Sequence, residues 1–267
     1  MYSQDSQYDN KKITYTSREQ TLIAQVRILS ESPVDRREGM KELALEIRRL
    51  PSGLNKLRIA DALAFISTAG DPGHAALQEV ATTLEQAMRD SPGQLDSAYL
   101  NLARLVHYEH VDVSVTDPAF AAALSRLEAD ERRRREVDFT LSDLTGKSWS
   151  LKGLRGKVVM VAFWASWSRP CWQEMVDLQA LQARYKQDLA ILAISSDDRE
   201  HATNFLKSQK LNLTVLLDRD SKVAQSYSIV GVPRTFVYNR QGELVVQALD
   251  ARTRKQLVEM LKQAGVE

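Results

Sequence analysis

From Val137 onward, apolar runs of strand length alternate with stretches of helical periodicity, and that alternation leaves few folds open. The most constraining run is 157–164, KVVMVAFW, which is apolar without interruption after its first residue. A strand facing water on one side alternates apolar and polar residues, so an unbroken run predicts a central strand covered on both faces. Around it the sequence predicts strands at 139–141 and 148–151 joined by a turn at 143–147. It also predicts strands at 189–194, 213–217, 234–238 and 243–247. Helices are predicted at 170–185, 199–209 and 253–264, and Asn239-Arg240-Gln241-Gly242 reads as a hairpin turn. The fold class expected over 137–267 is α/β, a mixed central sheet flanked by helices.

Residues 16–136 have a different rhythm, helical throughout. Leu22, Ile23, Val26 and Leu29 share one face of a first helix. Ser32-Pro33 supplies an N-cap and a proline at the first position of a second, which carries Met40, Leu43 and Ile47. Pro51-Ser52-Gly53, Gly70, Asp71-Pro72, Ser91-Pro92-Gly93 and Asp117-Pro118 then divide four more. The spacing predicts an all-α domain of stacked helical hairpins or a compact bundle, preceded by a polar tail over residues 1–15. The run Glu131-Arg132-Arg133-Arg134-Arg135-Glu136 closes this half. Acidic neighbours on both sides and the favourable field at a helix C-terminus make it a solvated helix end rather than a nucleic-acid patch.

Charge excludes some functions. Of 267 residues, 36 are basic and 35 acidic, so no net basic field exists to hold nucleic acid or a membrane surface. The chain has one cysteine, Cys171, and therefore neither an intramolecular disulfide nor a cysteine-based zinc site. The opening segment MYSQDSQYDNKKITY is polar and lacks the apolar stretch of a signal peptide. It fits a native cytoplasmic start, or a start from which a targeting segment has been removed.

The run 157–164 leads into Ala165-Ser166-Trp167-Ser168-Arg169-Pro170-Cys171-Trp172-Gln173-Glu174. This segment resembles the surroundings of the CxxC motif in thioredoxin-like redoxins of the TlpA/ResA type, relatives of the alkyl hydroperoxide reductase and thiol-specific antioxidant proteins. Three further stretches resemble the same group: 139–161, then Leu216-Leu217-Asp218 followed by Val223-Ala224, and Gly231-Val232-Pro233-Arg234-Thr235-Phe236. The likeness covers about residues 137–267 and implies a thioredoxin fold there. It also implies that Pro233 is a cis-proline facing the motif, and that Trp167, Arg169, Pro170, Val232 and Pro233 form the face that meets a protein substrate. Trp164 is implied as a packing residue, and Glu174 as a proton-handling acid.

Ser168 departs from the pattern. It stands where the family carries its exposed, attacking cysteine, and a dithiol–disulfide cycle needs two sulfurs. A cysteine-to-serine replacement made to trap a state would leave the same residue. Cys171 matches the shielded, resolving cysteine. At the start of a helix it gains from the dipole, Ser168 is placed to hydrogen-bond it, and Glu174 opposes a thiolate, so reactive and inert roles both stay open. The catalytic candidates are thus Cys171, Ser168 and Glu174. Asp197-Asp198 reads as a helix cap rather than a metal pair. His107 and His110 lie three apart, but no third ligand is in view, so no metal and no cofactor are expected.

Three functions follow as expectations. The first is a thiol–disulfide oxidoreductase relative with a degenerate SxxC site, acting as a single-cysteine redox partner or a binder of thiols and peptides. The second is a one-cysteine peroxidase, since Ser168-x-x-Cys171 is similar to the peroxiredoxin T-x-x-C, with Arg234 near the position of its arginine. The third is a non-catalytic adaptor with a protein partner on the helical domain. The resemblance implies protein thiols or disulfides as partners and an extracytoplasmic location, periplasmic or membrane-tethered.

Overall fold

The computed structural model describes residues 13–31 and 37–267. The Ser32-Pro33 cap and most of the expected tail lie outside them. Six helices come first: α1 (Ser17–Glu31), α2 (Arg37–Arg48), α3 (Leu54–Ser67), α4 (His74–Asp90), α5 (Asp96–Glu109) and α6 (Pro118–Glu136). Neighbours in sequence and next-neighbours pack together, with α4 against both α2 and α3, α3 also against α1, and α5 against α6. Their shared core holds Leu22, Met40, Ile47, Leu57, Leu63, Leu84, Leu102 and Phe120. Asp117 caps α6 by accepting from the Ala119 N–H at 2.7 Å, with Pro118 at the first helical position.

The fourth helix begins later than Asp71-Pro72 predicts. Gly73, with φ 79°, precedes His74, and residues 70 and 71 turn instead toward the C-terminal half, where Asp71 lies 4.0 Å from Lys255. The arginine run also needs correcting. Arg132, Arg133 and Arg135 are exposed and pair with acids on their own helix. Arg134 is only 4% exposed, and its Nε donates to the Tyr227 carbonyl at 2.9 Å while Nη1 donates to Gln247 at 3.1 Å. One residue of the four therefore ties the halves together, because helical periodicity turns it alone toward the C-terminal half.

The C-terminal half opens with a two-stranded ribbon, β1 (Thr140–Ser142) and β2 (Ser148–Ser150). It continues as β3 (Val158–Phe163), α7 (Arg169–Arg184), β4 (Leu189–Ser195), α8 (Arg199–Gln209), β5 (Val215–Leu217), α9 (Lys222–Ser226), β6 (Arg234–Tyr238), β7 (Leu244–Ala248) and α10 (Arg254–Gln263). The sheet order is β5-β4-β3-β6-β7, with β3, β4 and β5 parallel and β6 antiparallel to both its neighbours. This is the thioredoxin arrangement of a mixed sheet, and β3 is its central strand. All six β3 residues are buried. Val158, Met160 and Ala162 join the core under α7, α8 and α10, whereas Val159, Val161 and Phe163 join the core on the opposite face with Phe139, Tyr227 and Phe236. The unbroken apolar run thus serves two cores at once. Among the described residues no helix is long and apolar enough to cross a membrane.

Candidate active site

The sheet register places the site. β3 runs directly into the 164–168 turn and α7, and its last residue, Phe163, pairs with Arg234, the first residue of antiparallel β6. The loop before β6 therefore ends beside the turn after β3. The Val232–Pro233 peptide bond in that loop is cis, as the resemblance implies.

Ser168 is the N-cap of α7, in extended conformation, with Pro170 in the first turn. Its side chain makes no capping hydrogen bond. It is 5% exposed, so the position that the resemblance implies to be open is shielded in this chain. The Cys171 N–H donates to the Ser168 carbonyl at 3.0 Å. Cys171 is 0% exposed, and burial pushes its thiol up to about 11; hydrogen bonds from Ser168 and Ala165 work against that shift, while the carboxylates of Glu174 and Asp197 add to it. The thiol is therefore held in its protonated form near neutral pH. The dipole of α7 does not overcome desolvation here, which favours the inert reading of this sulfur.

Glu174, one turn beyond Cys171, is 3% exposed. Thr235 Oγ1 donates to its Oε1 at 2.8 Å, and the Arg252 main-chain N–H donates to its Oε2 at 3.1 Å. Burial raises its carboxyl to about 7; those two donors and the Arg252 charge hold the rise down, and Asp177 adds to it.

The tryptophans separate by role. Trp164 is buried against Phe205, with ring centres 4.9 Å apart. Trp167 is 75% exposed beside the motif. Trp172 donates from Nε1 to the Ser166 carbonyl at 2.8 Å, bracing the turn that carries Trp167. Arg169 and Pro170 are exposed, Val232 is half-buried, and Pro233 is buried. Val230 is strongly exposed on the same loop as Val232. The Arg234 guanidinium is engaged by the Pro233 carbonyl at 3.0 Å and by Asp250 at 3.2 Å.

Some candidates are not brought to the site. His107 pairs with Glu131 at 2.8 Å, and His110 follows α5 as its left-handed cap residue. Among the described residues no group of three His, Cys, Asp or Glu side chains could hold a metal. Asp198 caps α8, accepting from the His201 N–H at 2.8 Å. Asp197 has a role that capping does not cover: it accepts from the Ser166 N–H at 2.7 Å and ties the β4–α8 loop to the motif turn. Thr235 and Arg252 are further site residues that the sequence does not single out. Thr235 sits inside the Gly-Val-Pro-Arg-Thr-Phe likeness, which is a usable signal; Arg252 carries no local signal.

Comparison with known proteins identifies the family of the C-terminal half. The AhpC/TSA family profile matches residues 134–247. The thiol-disulfide oxidoreductase ResA of Bacillus cereus is 31% identical over 140 residues, which span 52% of this chain and 81% of that protein. This chain belongs to the ResA-type thiol–disulfide oxidoreductase family. ResA of Bacillus subtilis is 34% identical over 40% of this chain and 62% of its own length. Among solved structures, a candidate thiol:disulfide interchange protein DsbE from Chlorobium tepidum is 29% identical. That match covers 49% of this chain and 94% of that one, with a TM-score of 0.46. The AhpC/TSA match begins at residue 134, at the end of the six helices.

Proposed function

We propose that this ResA-type protein binds extended, thiol-bearing polypeptide at the face formed by Trp167, Arg169, Pro170, Val232 and Pro233, and does not turn disulfides over. The observation that carries this reading is the contrast between its one thiol and its aromatic rim. Cys171 is fully buried while Trp167 stands exposed beside it. With serine at 168, no second sulfur is available to complete an exchange cycle. Exposed aromatic surface next to a loop with main-chain groups suits recognition of an unfolded segment. The family likeness supports protein thiols or disulfides as the partner chemistry and an extracytoplasmic location, and the helical half would present a separate surface to a protein partner.

The peroxidase reading is less well supported. A peroxidatic thiol must be ionised and reachable, whereas Cys171 is buried with its thiol pushed up to about 11. Arg234 is already engaged by Asp250.

The test is calorimetric titration of the protein with reduced, unfolded cysteine-containing peptide. Trp167→Ala is expected to weaken binding about tenfold or more, and Cys171→Ala to leave it nearly unchanged. Binding that is lost with Cys171→Ala and kept with Trp167→Ala would replace this reading with the single-cysteine redox partner.

A further inference from the structure

The loop between β7 and α10, residues 249–253, is held from two sides. On the helical side, the Gly70 N–H donates to the Ala251 carbonyl at 2.8 Å, and the Thr68 hydroxyl donates to Asp250. The Arg252 guanidinium donates to the Thr68 carbonyl at 3.0 Å and to Glu109 at 2.8 Å, an ion pair with both side chains largely buried. On the other side, the Arg252 main-chain N–H donates to Glu174. Asp250 accepts from Arg234, which follows the cis-proline. One residue thus grips the helical half with its side chain and the buried acid with its backbone.

A peptide N–H in a free loop is a poor partner for a buried carboxyl, because the loop samples many orientations. Here the Gly70 hydrogen bond to the carbonyl of the same peptide unit and a guanidinium fork fixed on two acceptors together remove that freedom. Hydrogen bonds to the ionised form of an acid lower the cost of losing its proton. The groups facing Glu174 are Cys171 and Asp177 from its own helix, Thr235 and Arg234 from β6, and Arg252 from the loop. Asp177 is itself engaged by Arg254 at 2.9 Å. Among these groups, Arg252 is the one bonded directly to the helical half.

We infer that Arg252 is a positioning residue for Glu174, and that docking of the helical half on the 249–253 loop sets how readily Glu174 gives up its proton. A partner that shifts the ends of α3 or α5 would then be felt at the site. The inference rests on Glu174 belonging to the site, not on peptide binding there.

The test follows the Glu174 carboxyl by carbon NMR in the full chain, its resonance assigned by its loss in Glu174→Gln. The variants are Glu109→Gln, Arg252→Lys and, as control, Glu79→Gln, whose ion pair with Arg48 at 2.6 Å lies within the helical half. Glu109→Gln is expected to raise the Glu174 midpoint by roughly half a pH unit or more, Arg252→Lys to raise it less, and the control not at all. The sign is informative. Removing the negative charge at 109 would, acting through space alone, lower the midpoint, so a rise reports that Arg252, through its N–H and its charge, no longer sits where it supports the Glu174 carboxylate. Should Glu109→Gln not fold, Arg252→Lys carries the same test. A midpoint that is unchanged or lowered, or that rises equally in the control, overturns the inference. No thiol chemistry enters the measurement, so failure of peptide binding leaves it readable.

Discussion

Ser168→Cys is expected to give a chain that forms a disulfide between the new thiol and Cys171 and reduces insulin at least about a hundredfold faster than the background left by the present chain. The scale follows from restoring a missing nucleophile rather than tuning an existing one. Position 168 is the N-cap of α7, where free N–H groups and the helix dipole stabilise a thiolate. Its carbonyl already accepts from the Cys171 N–H at 3.0 Å, so a thiol at 168 starts one helical turn from the existing one. Serine and cysteine differ little in size, so packing changes little. Because position 168 is shielded, disulfide formation is the more direct readout and insulin reduction the more demanding one. Thiol counting after mild oxidation should fall from two to none. Two thiols that persist under oxidant would show that the site can no longer close the bond, and the adaptor reading would then lead.

Glu174→Gln is expected to remove a large pH dependence of stability. The folded carboxyl sits at about 7 against 4.5 when unconstrained. Between those values the folded state binds more protons than the unfolded state, so stability falls as pH rises through this window and levels off above it. At about 1.36 kcal/mol for each tenfold change in proton affinity, the penalty accumulated by about pH 8 is about 3 kcal/mol. Glutamine keeps the shape of the protonated acid and the means to pair with Thr235 and the Arg252 N–H, without a charge to desolvate. Urea unfolding at about pH 5 and about pH 8 should show the variant gaining on the parent by about that amount at the higher pH. An equal difference at both values would mean that the buried carboxyl is not kept neutral by its surroundings.

The features legible in the sequence are those with local or periodic causes. The apolar run through Val158–Phe163 reads as a strand buried on both faces, and the structure uses its alternate residues in two separate cores. Asp117-Pro118 and Asp198 cap the helices that their chemistry suits. The residues that are not legible act across the chain. Arg134 is indistinguishable in sequence from its three neighbours, and only its rotation about α6 selects it for Tyr227 and Gln247. Arg252 sits in an ordinary loop, and its meaning depends on Glu109 and Glu174, which lie far from it in sequence. The reactivity of Cys171 is open at the level of sequence for a related reason. Dipole, serine and glutamate are visible there, but the burial that outweighs them is a property of the assembled core.

The central claim is that this site recognises its partners without exchanging disulfides. Insulin reduction with dithiothreitol as donor, run on the present chain beside Cys171→Ala, tests it most directly. Both proteins are expected to stay at the uncatalysed rate. Turnover by the present chain that disappears with Cys171→Ala would show that one buried sulfur suffices and would contradict the claim.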